Sequence, residues 1–315
     1  MGKTLLALLL WAAPAGADLC DNSKHFCGYT RGSSGRSSRS SNPSQGSTVR
    51  LNPSKVPVEK GFGIEAIYFD EAADFSLVRG MGRVGAGISP SNSEETFFGP
   101  PGIEREIDYL ERQRARHRYS AQKYTAAGAV NLFNSKGNGF RHFSLNLGGL
   151  AKYNIKTEDI RPGGGVSGYW GPFTFGYSIY QDQAHVPAWK IPGADIVLEG
   201  ERIDEYTVET LSGGIYFKNL ILDYSTLTTR GDLESRTKLL TAGVFLWRAL
   251  ITASLRWEES NRYLYDRRLD ALVEKRVKAK TFAGLQVRVL NPLMLGAFYN
   301  YYLMDEASVG ATLFF

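Results

Sequence analysis

Residues 307–315 read Ala-Ser-Val-Gly-Ala-Thr-Leu-Phe-Phe, and their alternation decides the fold. Ala307, Val309, Ala311, Leu313 and Phe315 are apolar, whereas Ser308, Gly310 and Thr312 stand between them. A period of two is that of a β-strand with one apolar face. The same texture extends back along the chain. Ile251, Ala253, Leu255 and Trp257 alternate with Thr252, Ser254, Arg256 and Glu258. Val277, Ala279, Leu285, Val287 and Val289 alternate with Lys278, Lys280, Gln286 and Arg288. A charge at every second position does not suit the dry core of a soluble sandwich, but it suits a strand with lipid on one side and an aqueous lumen on the other.

Composition agrees. The chain has 315 residues, 43% hydrophobic, with 17 Tyr and 17 Phe. It contains no apolar run of the ~18 residues that a membrane-spanning helix requires. A transmembrane barrel hides its hydrophobicity in this way, because each strand shows lipid only every second residue. The formal charge is +5, and removing residues 1–17, with Lys3 alone charged, leaves 36 basic and 32 acidic residues. That excess is mild and scattered, so no nucleic-acid partner is expected.

The N-terminus reads as an export signal. Lys3 heads it, Leu5 to Ala13 are apolar, Pro14 breaks the run, and Ala15-Gly16-Ala17 supplies small residues for cleavage. Cys20 and Cys27, the only cysteines, would then meet an oxidising compartment. They are either a small disulfide loop or two unrelated thiols. Residues 28–50 hold eight serines between Ser33 and Ser47 and read as a flexible segment. The expected organisation is a signal peptide over 1–17, a Ser/Gly-rich segment over 18–60 and a transmembrane β-barrel over 61–315.

Thirteen strands are expected, at 62–69, 75–88, 122–133, 142–153, 164–170, 173–181, 206–217, 219–228, 237–247, 249–258, 276–289, 293–302 and 306–315. Short connections (Asn291-Pro292, Trp247-Arg248, Lys218-Asn219, Gly171-Pro172 and Asn134 to Gly139) alternate with longer ones at 259–275, 229–235, 182–205, 154–163 and 89–121; only 303–305 in the second set is short. Up-and-down antiparallel barrels have short periplasmic turns and longer external loops, so the long connections are placed outside. Single-chain bacterial barrels use even strand numbers. Either 62–69 is not a full strand, leaving twelve, or a strand near Thr48 to Leu51 makes fourteen. The 89–121 connection is expected to hold an exposed helix, because Ile103, Ile107 and Leu110 share one face.

Alternation directs Arg79, Arg83, Arg256, Lys278, Lys280 and Arg288 inward, with Asp223 and Glu258 as the principal acids. Such a lumen either concentrates anions, a carboxylate-headed ligand among them, or is filled by its own ion pairs. Tyr216, Phe282, Phe298 and Tyr302 are placed on the same faces, which suits an amphiphile better than a bare ion.

Three resemblances bear on this reading. A last strand ending in Phe315 resembles the C-terminal signal by which outer-membrane barrels are recognised for assembly, implying the assembly machinery and outer-membrane lipids as partners. Ser47 to Ser54, containing Asn52-Pro53, followed by Gly61-Phe62-Gly63-Ile64, resembles the segment before the first strands of the outer-membrane long-chain fatty-acid transporter family, with Ser54 where Ala is usual. The resemblance implies a fourteen-stranded barrel, an N-terminal hatch in the lumen and hydrophobic substrates that leave through the wall. His142-Phe143-Ser144 also resembles the His-x-Ser start of outer-membrane phospholipase A, but Leu145-Asn146 follows, and the turn lengths put His142 at the periplasmic end. A structural histidine near a turn is the expectation there. No enzyme, cofactor or metal site is expected: neither a Cys/His cluster nor a His-Glu-x-x-His pattern occurs. The leading expectation is an outer-membrane channel or transporter for a small hydrophobic or amphiphilic ligand. The alternative is a closed barrel whose external loops bind partners.

Overall fold

The computed structural model describes residues 49–58, 60–69, 72–91, 123–136, 142–155, 157–186, 189–190, 197–199, 202–217, 220–231, 235–258, 262–266, 271–275, 280–290, 292–300 and 306–314. The signal peptide, Cys20, Cys27, Lys278, Tyr302, Phe315 and the expected helix near Ile103 lie outside these residues.

In chain order the strands are β1 (Gly61–Phe69), β2 (Ala72–Gly80), β3 (Val84–Ser91), β4 (Lys123–Lys136), β5 (His142–Asn154), β6 (Asp159–Trp170) and β7 (Phe173–Val186). There follow β8 (Trp189–Lys190), β9 (Val197–Glu199), β10 (Arg202–Phe217), β11 (Leu220–Gly231), β12 (Ser235–Leu246) and β13 (Ala249–Glu258). The last are β14 (Arg262–Asp266), β15 (Ala271–Lys275), β16 (Lys280–Leu290), β17 (Leu293–Asn300) and β18 (Glu306–Phe314). Fourteen of them close into one antiparallel barrel, in which each strand pairs with its sequence neighbour once the hairpins β8–β9 and β14–β15 are set aside. β1 pairs with β18, with Glu65 opposite Thr312. Closure leaves no unpaired sheet edge, a condition for spanning a lipid bilayer.

The fourteenth strand comes from neither expected place. Residues 75–88 are not one strand but the hairpin β2–β3, turned at Met81-Gly82-Arg83. Met81 N donates to Val84 O at 2.8 Å, and Gly82 takes φ +106°, which only glycine adopts freely. The other turns at this end connect β4–β5, β6–β7, β10–β11, β12–β13 and β16–β17. The three longest connections, 92–122, 187–201 and 259–279, all leave the opposite end. That assigns the short-turn end to the periplasmic side.

Several strands outrun their expected length. β7 continues to Val186, β10 begins at Arg202 and β6 begins at Asp159, so much of the expected loops 154–163 and 182–205 is strand. The hairpins β8–β9 and β14–β15 lie within the expected loops 182–205 and 259–275.

The two faces of the wall are inverted relative to a soluble protein. Ile88, Leu147, Ile179, Leu222, Leu255 and Val309 are exposed on the outside. Among the described residues, 26 polar or charged residues are buried against 17 hydrophobic ones, so the polar groups are the enclosed ones. An apolar exterior around a polar interior is the arrangement of a barrel in lipid, and the chain is an outer-membrane β-barrel.

Candidate lumen site

Residues 49–58 run inside the barrel, where a 3-10 turn at Pro53–Lys55 follows the helical turn that ends at Leu51. Asn52 caps it: its Oδ1 accepts from Ser54 N at 3.2 Å and from Ser54 Oγ at 2.6 Å. Pro53 suits the first position of such a turn, since its missing N–H would have no partner there.

The wall that receives this segment has been stripped of side chains. Gly85, Ala129, Gly148, Gly165 and Ser178 stand opposite one another across β3, β4, β5, β6 and β7, forming one smooth inward row. A Cβ at Gly148 would collide with Pro53 and Ser54 backbone, and one at Gly85 with the Pro57 carbonyl. At Gly165 it would lie 2.5 Å from Asn52 Oδ1, and at Gly176 2.7 Å from Lys55 Cε. These glycines admit a second backbone at close range.

Hydroxyls complete the seat. Ser167 Oγ donates to Ser54 O at 3.1 Å, and Ser178 Oγ to Leu51 O at 2.7 Å, so strand side chains satisfy the segment's carbonyls. Arg50 donates to Ser89 Oγ at 2.9 Å, and Ser89 donates in turn to Phe75 O at 2.9 Å. That relay sits where the β2–β3 ladder skips from Asp74↔Ser91 to Leu77↔Ile88, beside Pro90, which has no N–H to give. Lys55, on the inner segment and outside the spanning strands, donates to Ser212 Oγ at 3.2 Å. Burial pushes its ammonium down to about 8, and the Asp223 carboxylate opposes that shift. Val49, Leu51, Val56 and Val58 join Val78, Leu150, Tyr180, Tyr206, Val208 and Leu227 in one apolar cluster. Each such aliphatic residue contributes about 1.5–3 kcal/mol as an upper figure, against ~1 kcal/mol for each hydrogen bond. Apolar burial therefore anchors the segment, and the hydrogen bonds set its register.

Toward the external end, Asp182 of β7 is buried between Lys123 of β4 at 2.7 Å and Lys152 of β5 at 3.1 Å. Lys152 Nζ also lies 4.0 Å from the centre of the Tyr180 ring, and Tyr206 stands opposite Asp182 on β10. Among the described residues two cations flank this carboxylate, set over an aromatic and aliphatic floor. Farther out, Arg161 bonds both Asp159 and Glu205, and Gln183 Nε2 donates to the same two acids at 3.1 and 3.0 Å.

The expected lumen residues scatter. Asp223 is buried on the inward face of β11, with Ile221 and Ser225. Arg288 keeps the inward register of Gly284 and Gln286, half-buried. Arg256 and Lys280 stand opposite each other in the register that carries Ser254 inward, and Glu258 continues it opposite Thr237. Arg79 does not point inward. It shares the exposed face of Phe75, while Ser76 and Val78 face the core, because the β2–β3 turn resets the phase of alternation. Arg83 lies in that turn, exposed. The basic inward residues missed in the sequence include Lys123 and Lys152, although the neighbours Tyr124, Ala151 and Tyr153, all exposed, carried the signal.

Ser144 does face inward, with Phe143 and Leu147 exposed on either side, as the alternation of β5 implies. Its Oγ accepts from Asn131 Nδ2 at 2.9 Å, and the same amide donates to Asn146 Oδ1 at 2.6 Å. Among the described residues no group of three or more His, Cys, Asp or Glu is placed to hold a metal ion.

No protein-family model and no curated protein match the chain. The expected resemblance to the fatty-acid transporter family is therefore not shown. The chain is similar to several solved structures. A mutant of the Rhodopseudomonas blastica porin aligns over 81% of this chain and 98% of its own, at 10% identity and TM-score 0.39. The KdgM porin aligns over 80% and 98%, at 8% identity and TM-score 0.35. OmpT, an outer-membrane protein of Vibrio cholerae, aligns over 81% and 96%, at 6% identity and TM-score 0.40.

Proposed function

We propose that the protein is an outer-membrane channel for small amphiphiles with an anionic head, narrowed by its own inner segment. One observation carries this reading: the Lys123–Asp182–Lys152 cluster lies directly over the apolar floor of Tyr180, Tyr206, Val208 and Leu227. Lys123 and Lys152 flank the Asp182 carboxylate, and their ammonium groups would attract a carboxylate head. The floor beneath suits a short alkyl tail, and the serines and threonines of the opposite wall keep the rest of the lumen wettable. In this reading the barrel conducts and catalyses nothing, and Phe315 serves its assembly.

The test is flux through the full chain reconstituted in liposomes. A medium-chain carboxylate should pass, or be retained, in preference to an alkylammonium of equal length, and Lys152→Met should reduce that preference about tenfold. Such a loss is the size expected for removing one charge-assisted contact. No flux and no retention for any of these solutes would remove the proposal.

A further inference from the structure

The apolar exterior is not equally tall all round the barrel. On β5 its outward residues run from Phe143 to Tyr153, and on β6 from Ile160 to Trp170, with no charged or hydroxyl-bearing side chain at the outward positions between. Such a run, at ~3.3 Å per residue on a tilted strand, covers ~25 Å of height, the full apolar band of an outer-membrane barrel. On β11 the outward residues Leu220, Leu222 and Tyr224 are apolar, but Thr226, Thr228 and Arg230 follow them. That leaves only about 10 Å of apolar height. The neighbouring strands are cut short at the same place. Glu209 of β10 stands opposite Thr228. Arg236 and Lys238 of β12 stand opposite Thr228 and Thr226, each engaged by contacts within its own chain.

Hydrocarbon is a poor neighbour for the upper half of this sector. Hydroxyls and ionised groups there lose hydration and find no partner among acyl chains, and the cost of a charge grows with its depth. The Glu209 carboxylate accepts from Tyr177 Oη at 3.2 Å and pairs with Arg230 at 3.2 Å, yet 32% of the Glu209 side chain and 73% of the Arg230 side chain stay exposed. A guanidinium has five donors, so Arg230 can hold a second carboxylate beside the first. A protein surface can supply what lipid does not, and the pair decides which surface fits. Because the patch carries both signs side by side, it is complementary to itself under a two-fold rotation.

We propose that a second copy of this chain packs on the outward face of β10–β11, about a two-fold axis normal to the membrane. Glu209 of each copy meets Arg230 of the other, and the threonines of β11 lie beside the axis. The tall apolar face of β5 and β6 is left to lipid.

The test uses the full chain with Cys20 and Cys27 changed to Ser, folded into liposomes, with folding followed by heat-modifiable electrophoretic mobility. Under mild oxidation Thr228→Cys should form a disulfide-linked dimer about tenfold faster than Ala151→Cys, an exposed position on the tall face, because docking raises the local thiol concentration. In the Thr228→Cys background, Glu209→Arg alone and Arg230→Glu alone each set like charges across the contact and should cut the dimer yield about tenfold. Mixing these two variants before folding should restore most of it, because each then meets its opposite in the other copy while the pair within each chain stays broken. No recovery on mixing would make the pair an internal one and overturn the proposal. Equal cross-linking of Thr228→Cys and Ala151→Cys would overturn it too, and would leave the short band to lipid headgroups drawn down against the wall. Should the charge variants fail to fold, the ratio of those two cysteine variants decides by itself.

Discussion

Two sectors of the same wall treat the lumen differently. Across β3–β7 the inward positions include Gly85, Gly148, Gly165 and Gly176, and the inner segment lies against them. Across β12–β18 the inward positions carry side chains that meet one another. Thr241 and Ser254 share a 2.8 Å hydrogen bond, Thr252 reaches Gly284 O, and Thr312 reaches Glu65. Gly243, an inward glycine of this second sector, would set a Cβ no nearer than 3.2 Å to any atom, and only Thr252 and Leu250 side chains crowd it. The contrast teaches that an inward glycine in a barrel has two meanings. At Gly85, Gly148 and Gly165 it is the footprint of a docked chain; at Gly243, and at Gly163 beside Tyr180, it is relief of crowding between strands.

The sharpest way to break the comparison is at the external edge of the receiving sector. Asp182→Ala leaves Lys123 and Lys152 close together without their shared carboxylate, and the loss of stability should be about 3–5 kcal/mol. The midpoint of urea unfolding in liposomes measures it. A loss below about 1 kcal/mol would mean that the cluster is solvated. Next, Gly148→Val should unseat the inner segment at a cost of about 1–3 kcal/mol and raise liposome permeability. Gly149→Val, the adjacent outward position whose Cβ would have nothing nearer than 3.9 Å, is the control and should change neither. Equal effects of the two would erase the distinction between footprint and relief.

Smaller effects sharpen it. Asn52→Ala removes the cap of the 3-10 turn and should cost ~1 kcal/mol, with a modest rise in permeability. Ser254→Ala, in the second sector, should cost a similar ~1 kcal/mol through loss of the Thr241 bond but leave permeability unchanged. If Ser254→Ala opened the barrel, both sectors would be holding the segment.

What could be read in the sequence follows from how strongly each strand marks its lipid face. Phe143, Leu145 and Leu147 fix the phase of β5, and Ile251, Ala253 and Leu255 that of β13, so those directions and their turns were readable. Glycine has no side chain to mark a phase. Gly80 and Gly82 therefore let a two-strand hairpin read as one strand, which cost the strand count and turned Arg79 the wrong way. Asp182 was hidden for another reason. Beyond Ile179, β7 continues through Gln181 and Gln183, and its partner β10 through Glu205, where the strands outrun the apolar belt and the alternation loses its contrast. Lys123 and Lys152 lay in readable strands, but without Asp182 as a strand residue they had no visible partner. The seating of Asn52 on Gly165 could not be read at all, because it joins positions 113 residues apart with five strands between them.

The pairing of Gly63 with Phe314 has a consequence for the order of events during assembly. The barrel cannot shut until its last strand arrives, whereas the row from Gly85 to Ser178 is complete once the first seven strands have formed. The inner segment, made earliest and tethered directly ahead of β1, thus has its berth ready while more than a third of the chain is still unplaced. Closing such a long loop is slow, and a half-built wall with an empty groove would otherwise expose polar rungs to lipid. Residues 49–58 can then act first as a template for the open sheet and only later as the filling of the closed barrel.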